Sequence, residues 1–204
     1  MKNDIQMLPG YRTNEYLLVL SPHEELWNKI VKVKESFSET YQCAQAKWGK
    51  PHVALVNFGQ YEMMEARIIN RLKTIAMGYP AFKVEMKDYG SFPSHTIYIN
   101  VTSKVPIQNL TKHIRSETQQ LMKLNDDNKP HFMMEPHLTI ARKLAPWQYE
   151  KAWLEYSNRH FRGRFIADGM LLLKRRVGEK AYQIAQRFGF QNLPVLTKQG
   201  ELFG

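Results

Sequence analysis

The chain has 204 residues, 43% of them hydrophobic and 12% aromatic, a composition that suits a folded domain and excludes global disorder. No apolar run approaches the roughly 20 residues of a membrane helix, no secretory signal is visible, and the single cysteine excludes an intramolecular disulfide, so we expect a cytoplasmic protein. The net charge is +10, and residues 103–204 carry 17 basic and nine acidic side chains, which favours either an anionic partner or a charge that only maintains solubility.

The first predicted elements are a short strand and a helix. Apolar residues predict the strand at residues 16–20. Ser21, Pro22 and Glu24 have the order of an N-cap, a first helical residue and a capping box. A helix is therefore predicted from this point to about Ser38.

Beyond this helix, the first half continues as strand, helix, strand, strand. A polar stretch leads to a buried strand that begins with Pro51 and His52. Apolar residues at helical spacing predict a second helix, with Gly78 just past its last turn. Alternation of apolar and polar side chains predicts half-buried strands at residues 82–87 and 97–101.

The second half repeats this order. A helix precedes a strand that begins with Pro136 and His137, and a further helix begins at Pro146. Strands are predicted at residues 161–167, 170–175 and 180–188. Both halves contain helix, Pro-His strand, helix, strand and strand, which predicts a single α+β domain of two pseudo-symmetric lobes, at about residues 16–102 and 103–190.

The two Pro-His strands place four side chains on equivalent faces. Because side chains alternate along a strand, His52 and Ala54 point away from the helices, as do His137 and Thr139. The two imidazoles then face each other across a cleft, where one can accept a proton while the other donates one to a leaving oxygen. The hydroxyl of Thr139 can bind a phosphate oxygen. This arrangement favours phosphodiester chemistry without a metal.

A histidine in a single Pro-His strand is more often a packing residue than a catalytic one, and only the repeated context favours function here. The other five histidines lack such a repeat. No His, Cys, Asp or Glu cluster has metal-ligand spacing, and the G-x-S-x-G, G-x-x-x-x-G-K and G-x-G-x-x-G motifs are absent. We therefore expect neither a metal nor an organic cofactor.

The paired motifs resemble those of the 2H phosphoesterase superfamily, specifically its 2'-5' RNA ligase or RNA 2',3'-cyclic phosphodiesterase group. The second H-x-T/S-x motif is intact as His137-Leu138-Thr139-Ile140, and Arg142 follows where the group often has an arginine that helps to bind the phosphate or nucleotide. The first motif, His52-Val53-Ala54-Leu55, has alanine where threonine or serine is usual. The resemblance extends over residues 16–188.

The resemblance implies two antiparallel sheets with helices on their outer faces, a catalytic cleft between them, and hydrolysis of a cyclic phosphodiester such as a 2',3'-cyclic RNA end. Reversible 2'-5' ligation is a further activity of the group. His52 and His137 would share the acid and base roles, in an order that the sequence leaves open. Flat alternation places Arg142 on the side of Ile140, so Arg142 serves the cleft only if its strand ends or twists, and Lys143 has the better parity.

Three interpretations stay open at this point. The leading one is a metal-independent phosphoesterase that acts as a monomer on an RNA end or a nucleotide. The second is a non-catalytic RNA- or nucleotide-binding protein that keeps the basic cleft, and Ala54 favours it. The third, a basic soluble protein without a nucleic-acid role, requires the duplicated strands to be a coincidence.

Overall fold

Residues 10–194 are the part of the chain that this computed structural model describes, and they form nine β-strands and five α-helices. The strands are β1 (Thr13–Leu20), β2 (Val53–Tyr61), β3 (Phe82–Phe92), β4 (Thr96–Val101), β5 (His131–Phe132), β6 (His137–Arg142), β7 (Arg162–Ala167), β8 (Gly169–Arg176) and β9 (Gln183–Gly189). The helices are α1 (Glu24–Thr40), α2 (Ala44–Trp48), α3 (Glu65–Gly78), α4 (Lys104–Met122) and α5 (Pro146–Tyr156). We expected no secretory signal at the start of the sequence, and residues 1–9 lie outside the described residues.

The strands form two antiparallel sheets. Sheet A has the order β5-β2-β1-β8-β9, and sheet B has the order β6-β4-β3-β7. Helices α3 and α4 pack on sheet A, whereas α1, α2 and α5 pack on sheet B. The predicted α+β fold of two antiparallel sheets with helices is therefore confirmed.

Each sheet draws its strands from both halves of the chain. In sheet A, β1 pairs with β8, and in sheet B, β3 pairs with β7. Two helices also pack on the sheet opposite to the one that precedes them in the chain. Helix α1 follows β1 of sheet A but packs on β6 of sheet B. Helix α4 follows β4 of sheet B but packs on β2 of sheet A. The predicted lobes at residues 16–102 and 103–190 therefore do not coincide with the two sheets.

Helix α1 begins two residues later than the sequence predicts. The carbonyl of His23 accepts the first helical hydrogen bond, from the backbone N–H of Trp27 at 2.9 Å. Ser21 is too far from the first turn to cap it, and its hydroxyl donates instead to the carbonyl of Pro22 at 3.4 Å. The helix starts at Glu24, without a side-chain cap.

Other boundaries also differ from the prediction. The polar stretch after α1 contains the short helix α2, and Gly78 is the last residue of α3 rather than the residue beyond it. Strand β3 continues past its predicted end because a bulge at Lys87 and Asp88 lets it pair with β4 again. The two-residue strand β5 is too short to give an alternating pattern in sequence.

The core lies between the sheets and the helices. Ile30 and Phe37 of α1, Leu55 of β2, and Leu138 and Ile140 of β6 are all fully buried. Burying each such side chain stabilises the fold by about 1.5–3 kcal/mol. No helix within residues 10–194 is long and apolar enough to cross a membrane.

Candidate active site

The two motif histidines occupy equivalent places: His52 directly precedes β2, and His137 is the first residue of β6. The Nδ1 of His52 lies 2.7 Å from the carbonyl oxygen of Lys50, and that of His137 lies 2.8 Å from the carbonyl oxygen of Glu135. Since a carbonyl only accepts, each Nδ1 carries a proton, and Nε2 of each neutral ring is left as a proton acceptor. The same anchor therefore fixes the same tautomer in both strands.

The alternation predicted for these strands is confirmed. Val53 and Leu55 of β2 are fully buried on the helix side, as is Leu138 of β6. His52, Ala54, His137 and Thr139 are half-buried. Strands β2 and β6 also contact each other where the two sheets meet, and the charges of His137 and Arg142 act on His52.

A β-bulge at Ile140 determines where Arg142 lies. Along β4, Asn100, Tyr98 and Thr96 share one face, and they pair with His137, Thr139 and Arg142 of β6 in that order. The register shifts by one residue at Ile140, so Ile140 and Ala141 are both buried and the next residue returns to the other face.

Arg142 therefore shares the face of His137 and Thr139, against the expectation for a flat strand. Lys143 lies just beyond the end of β6, and its φ is positive at 56°. The alternation of side chains along the strand therefore does not determine where the Lys143 side chain points. A role for Lys143 in substrate binding stays a prediction.

Strand β2 carries a matching bulge at Leu55. Val19 of β1 pairs with Ala54, whereas Leu18 pairs with Val56, so Leu55 is the extra residue. Two residues beyond the bulge, Asn57 occupies the position that Arg142 has in β6. Asn57 was not among the predicted site residues, although Asn57 and Arg142 each lie five positions after their histidine.

Lys34 of α1 is a buried cation behind the second motif. The residue is only 5% exposed, and its Nζ donates to the carbonyl oxygens of Thr139 and Ile140, each at 3.0 Å. Within residues 10–194, no carboxylate lies within 4.0 Å of this ammonium group. Burial, with a further contribution from Arg142, lowers its pKa from 10.5 to about 8.

The pKa of His52 is lowered from its ordinary 6.5 to about 4. Burial is the main cause, and the hydrogen bond to the carbonyl of Lys50 opposes it. The positive charges of Lys34, Arg142 and His137 act in the same direction as burial. His52 is therefore neutral near pH 7 and able to accept a proton.

Aromatic side chains enclose His137. The rings of Phe92 and Tyr98 lie 5.0 and 4.9 Å from its imidazole, centroid to centroid. A Cβ at Gly90 would lie 2.6 Å from the Tyr98 ring and 2.5 Å from the amide oxygen of Asn100, so only glycine leaves both side chains in place. The aromatic residues therefore fix the orientation of one imidazole.

On the sheet A side, Arg175 forms an ion pair with Glu15 and lies over the ring of Tyr182, 4.5 Å from its centroid. Burial raises the pKa of Tyr182, and the charges of Arg175 and Arg142 oppose the increase. The charge of Arg142 thus reaches Tyr182, which lies just before β9. Nothing in the local sequence pattern around these residues indicated this contact.

The described residues contain no group of three or more His, Cys, Asp or Glu side chains placed to hold a metal ion. The structure brings together five of the six predicted site residues: His52, Ala54, His137, Thr139 and Arg142.

Comparison with protein families gives a match over most of the chain. A family model described as the 2'-5' RNA ligase superfamily matches residues 22–179. No curated protein matches the sequence.

Solved structures with the same fold include TT0787 of Thermus thermophilus, at 16% identity and a TM-score of 0.63, covering 87% of this chain and 98% of that one. E. coli LigT complexed with 3'-AMP has 14% identity and a TM-score of 0.58, covering 88% of this chain and 98% of that one. E. coli LigT complexed with NADP+ has 15% identity and a TM-score of 0.57, covering 88% and 99%. At such identities the likeness shows the fold.

Proposed function

Because the chain belongs to the 2'-5' RNA ligase superfamily, we propose that it is a phosphoesterase that hydrolyses cyclic phosphodiesters, with a 2',3'-cyclic RNA end as its main substrate. The observation that carries the proposal is the pair of imidazoles on contacting strands, each with Nδ1 bonded to a backbone carbonyl. Such a pair supplies one proton acceptor and one proton donor to a single phosphorus centre.

The lowered pKa of His52 favours the base role for this residue. Neutral His52 takes a proton from a water molecule as the water oxygen attacks phosphorus. The bond from phosphorus to one ribose oxygen breaks, and protonated His137 gives its proton to that oxygen. The products are a phosphomonoester and a free hydroxyl group.

The same residues also support ligation. If the 5'-hydroxyl of a second RNA replaces water as the nucleophile, the acid and base steps are unchanged and the product is a phosphodiester. We propose 2'-5' ligation as a second activity of the site, which competes with hydrolysis for the cyclic phosphate.

In this proposal two groups bind the phosphate directly and a third adds positive charge nearby. Arg142 and the hydroxyl of Thr139 share the face of the histidines, and a guanidinium group can bind two phosphate oxygens at once. Lys34 adds a positive charge from behind the strand, and no carboxylate of residues 10–194 lies within 4.0 Å of it. The anionic substrate would supply the missing counter-charge.

Ala54 supports the alternative, a protein that binds RNA or nucleotides without catalysis. It lies where the second motif has Thr139, so one strand offers a methyl group in place of a hydroxyl. Both histidines and their anchors are present, however, and a binding protein needs neither.

Turnover of an oligoribonucleotide with a 2',3'-cyclic phosphate, in the presence of excess chelator, tests the proposal. We expect conversion to the phosphomonoester, with kcat/KM falling on the acidic side only as the pH approaches 4, where His52 becomes protonated. Activity that needs an added divalent ion would contradict the metal-independent mechanism. Tight binding without turnover would support the alternative. A monomeric state and a cytoplasmic location stay predictions.

A further inference from the structure

A line of side chains crosses sheet B from the candidate active site to its far edge. His137 of β6 pairs with Asn100 of β4. Asn100 lies opposite the bulge of β3 at Lys87 and Asp88, and Lys87 pairs with Arg162 of β7. At about 4.8 Å between strands, the line extends about 14 Å from β6 to β7.

These side chains lie on the same face of the sheet as His137. In β3, Met86 is buried on the helix side, so Lys87 points the other way. In β7, a Cβ at Gly163 would meet the side chain of Leu26 in α1, and Phe165 is buried. Arg162 and Arg164 therefore alternate onto the open face, and both are exposed.

The open face carries an excess of positive charge that the described residues do not neutralise. Lys87 lies directly opposite Arg162, and like charges in such a cross-strand pair destabilise a sheet. None of Lys87, Arg162 and Arg164 has a carboxylate within 4.0 Å in the described part of the chain.

The nearby acidic groups are already engaged. Glu85 pairs with Arg164 across the strands, but its carboxylate contacts Lys83 at 2.6 Å. The carboxylate of Asp88 accepts hydrogen bonds from the backbone N–H of Phe161 and from His160, each at 3.2 Å.

We infer that Lys87, Arg162 and Arg164, here called the basic row, bind the phosphodiester backbone of single-stranded RNA next to its reacting end. This inference rests on the proposed function and adds the length of the substrate to it. The 14 Å span corresponds to about four stacked nucleotides at roughly 3.4 Å each, and to fewer in an extended strand. The site therefore favours a short oligonucleotide end over a free cyclic mononucleotide.

Equilibrium binding of 3'-phosphorylated oligoribonucleotides of one to eight residues tests the basic row without requiring turnover. For the wild type, we expect affinity to increase up to about four nucleotides and then to level off. In the double variant Lys87→Ala and Arg162→Ala, the increase with length should be largely lost. Affinity decreases as salt increases, and the slope of log affinity against log salt should be shallower by about 1.4 in this variant, as expected for two lost single-strand phosphate contacts.

The matched control removes two exposed cations from the helices on sheet A, Arg67 of α3 and Lys112 of α4. Arg67→Ala with Lys112→Ala changes net charge equally and should leave the length dependence intact. Affinity that does not depend on length in the wild type, or equal losses in both double variants, would overturn the inference. So would equally effective competition by polyglutamate, which would point to an acidic protein partner.

Turnover of a 2',3'-cyclic mononucleotide separates this inference from the proposed function. The double variant in the basic row should retain wild-type turnover of the mononucleotide. Absence of turnover of both the mononucleotide and an oligoribonucleotide with a 2',3'-cyclic phosphate in the wild type would contradict the proposed function, whereas the binding measurements would still decide the role of the basic row.

Discussion

The two motif strands have the same backbone geometry but different chemistry. Each presents a histidine with an anchored Nδ1 and a bulge three residues later. After the first histidine, β2 offers a methyl group and an amide, from Ala54 and Asn57. After the second, β6 offers a hydroxyl and a guanidinium group, from Thr139 and Arg142. In the proposed mechanism both strands therefore supply a group for proton transfer, whereas the groups proposed to bind phosphate are concentrated on one strand.

Loss of either imidazole should have the largest effect and should be similar for both strands. His52→Ala and His137→Ala are each expected to lower kcat by about 10²–10⁴-fold, because each removes one proton-transfer partner. Turnover of a cyclic phosphate measures the effect, and circular dichroism checks the fold. His23→Ala, at an exposed position without a side-chain cap, is the matched control. Near-normal activity in either motif variant would contradict the mechanism.

Lys34, behind β6, is the only charged side chain that is buried within residues 10–194, so β2 has no equivalent, and Lys34→Met should reveal what burying this charge costs in stability. A lysine whose pKa falls on folding destabilises the folded state below pH 8, and this cost is relieved as the pH rises from 8 to 10.5. The free energy of unfolding of Lys34→Met, relative to that of the wild type, should therefore be about 3 kcal/mol higher at pH 7 than at pH 10.5.

Denaturant unfolding at several pH values measures this difference for Lys34→Met. Lys32→Met, at an exposed position of the same helix, removes a lysine without removing a buried charge. If the difference in the free energy of unfolding between Lys34→Met and the wild type does not change with pH, Lys34 is not an isolated buried cation.

The bulge at Ile140 predicts different effects for two adjacent cations. Arg142→Ala should lower kcat/KM by about 10–150-fold, the loss of one hydrogen bond to a charged group at 1.5–3 kcal/mol. Lys143→Ala, beyond the strand, should change it much less. Steady-state kinetics on one substrate at fixed salt compares the two variants, and the reverse order would show that the flat-strand parity applies after all.

Restoring the hydroxyl to the first strand should have the smallest effect. Ala54→Thr is expected to raise kcat/KM on a 2',3'-cyclic phosphate by up to about tenfold, and Thr139→Ala to lower it by at least as much. Ala54→Thr introduces a side chain that is enriched in strands. A decrease in Ala54→Thr together with no change in Thr139→Ala would show that the two positions are not equivalent.

Periodic patterns predicted most helices and strands, and the repeated Pro-His context predicted both histidines and their shared face. The bulge at Ile140 was beyond such patterns, because it depends on pairing with β4 rather than on local alternation. Lys34 did leave a signal, since it lies in the buried stripe between Ile30 and Phe37 of α1. Its partners, two backbone carbonyls of β6, are set by tertiary packing and have no signature in sequence.

The exchange of strands between the two sheets also governs how the chain can fold. Sheet A pairs β1 with β8, so its centre closes only after residues far apart in the chain have met. Such non-local pairing slows folding, because loop-closure entropy must be overcome before the contacts form. During synthesis, β1 and β2 emerge from the ribosome long before β8, and their apolar faces depend on chaperones or on the rest of the chain for cover.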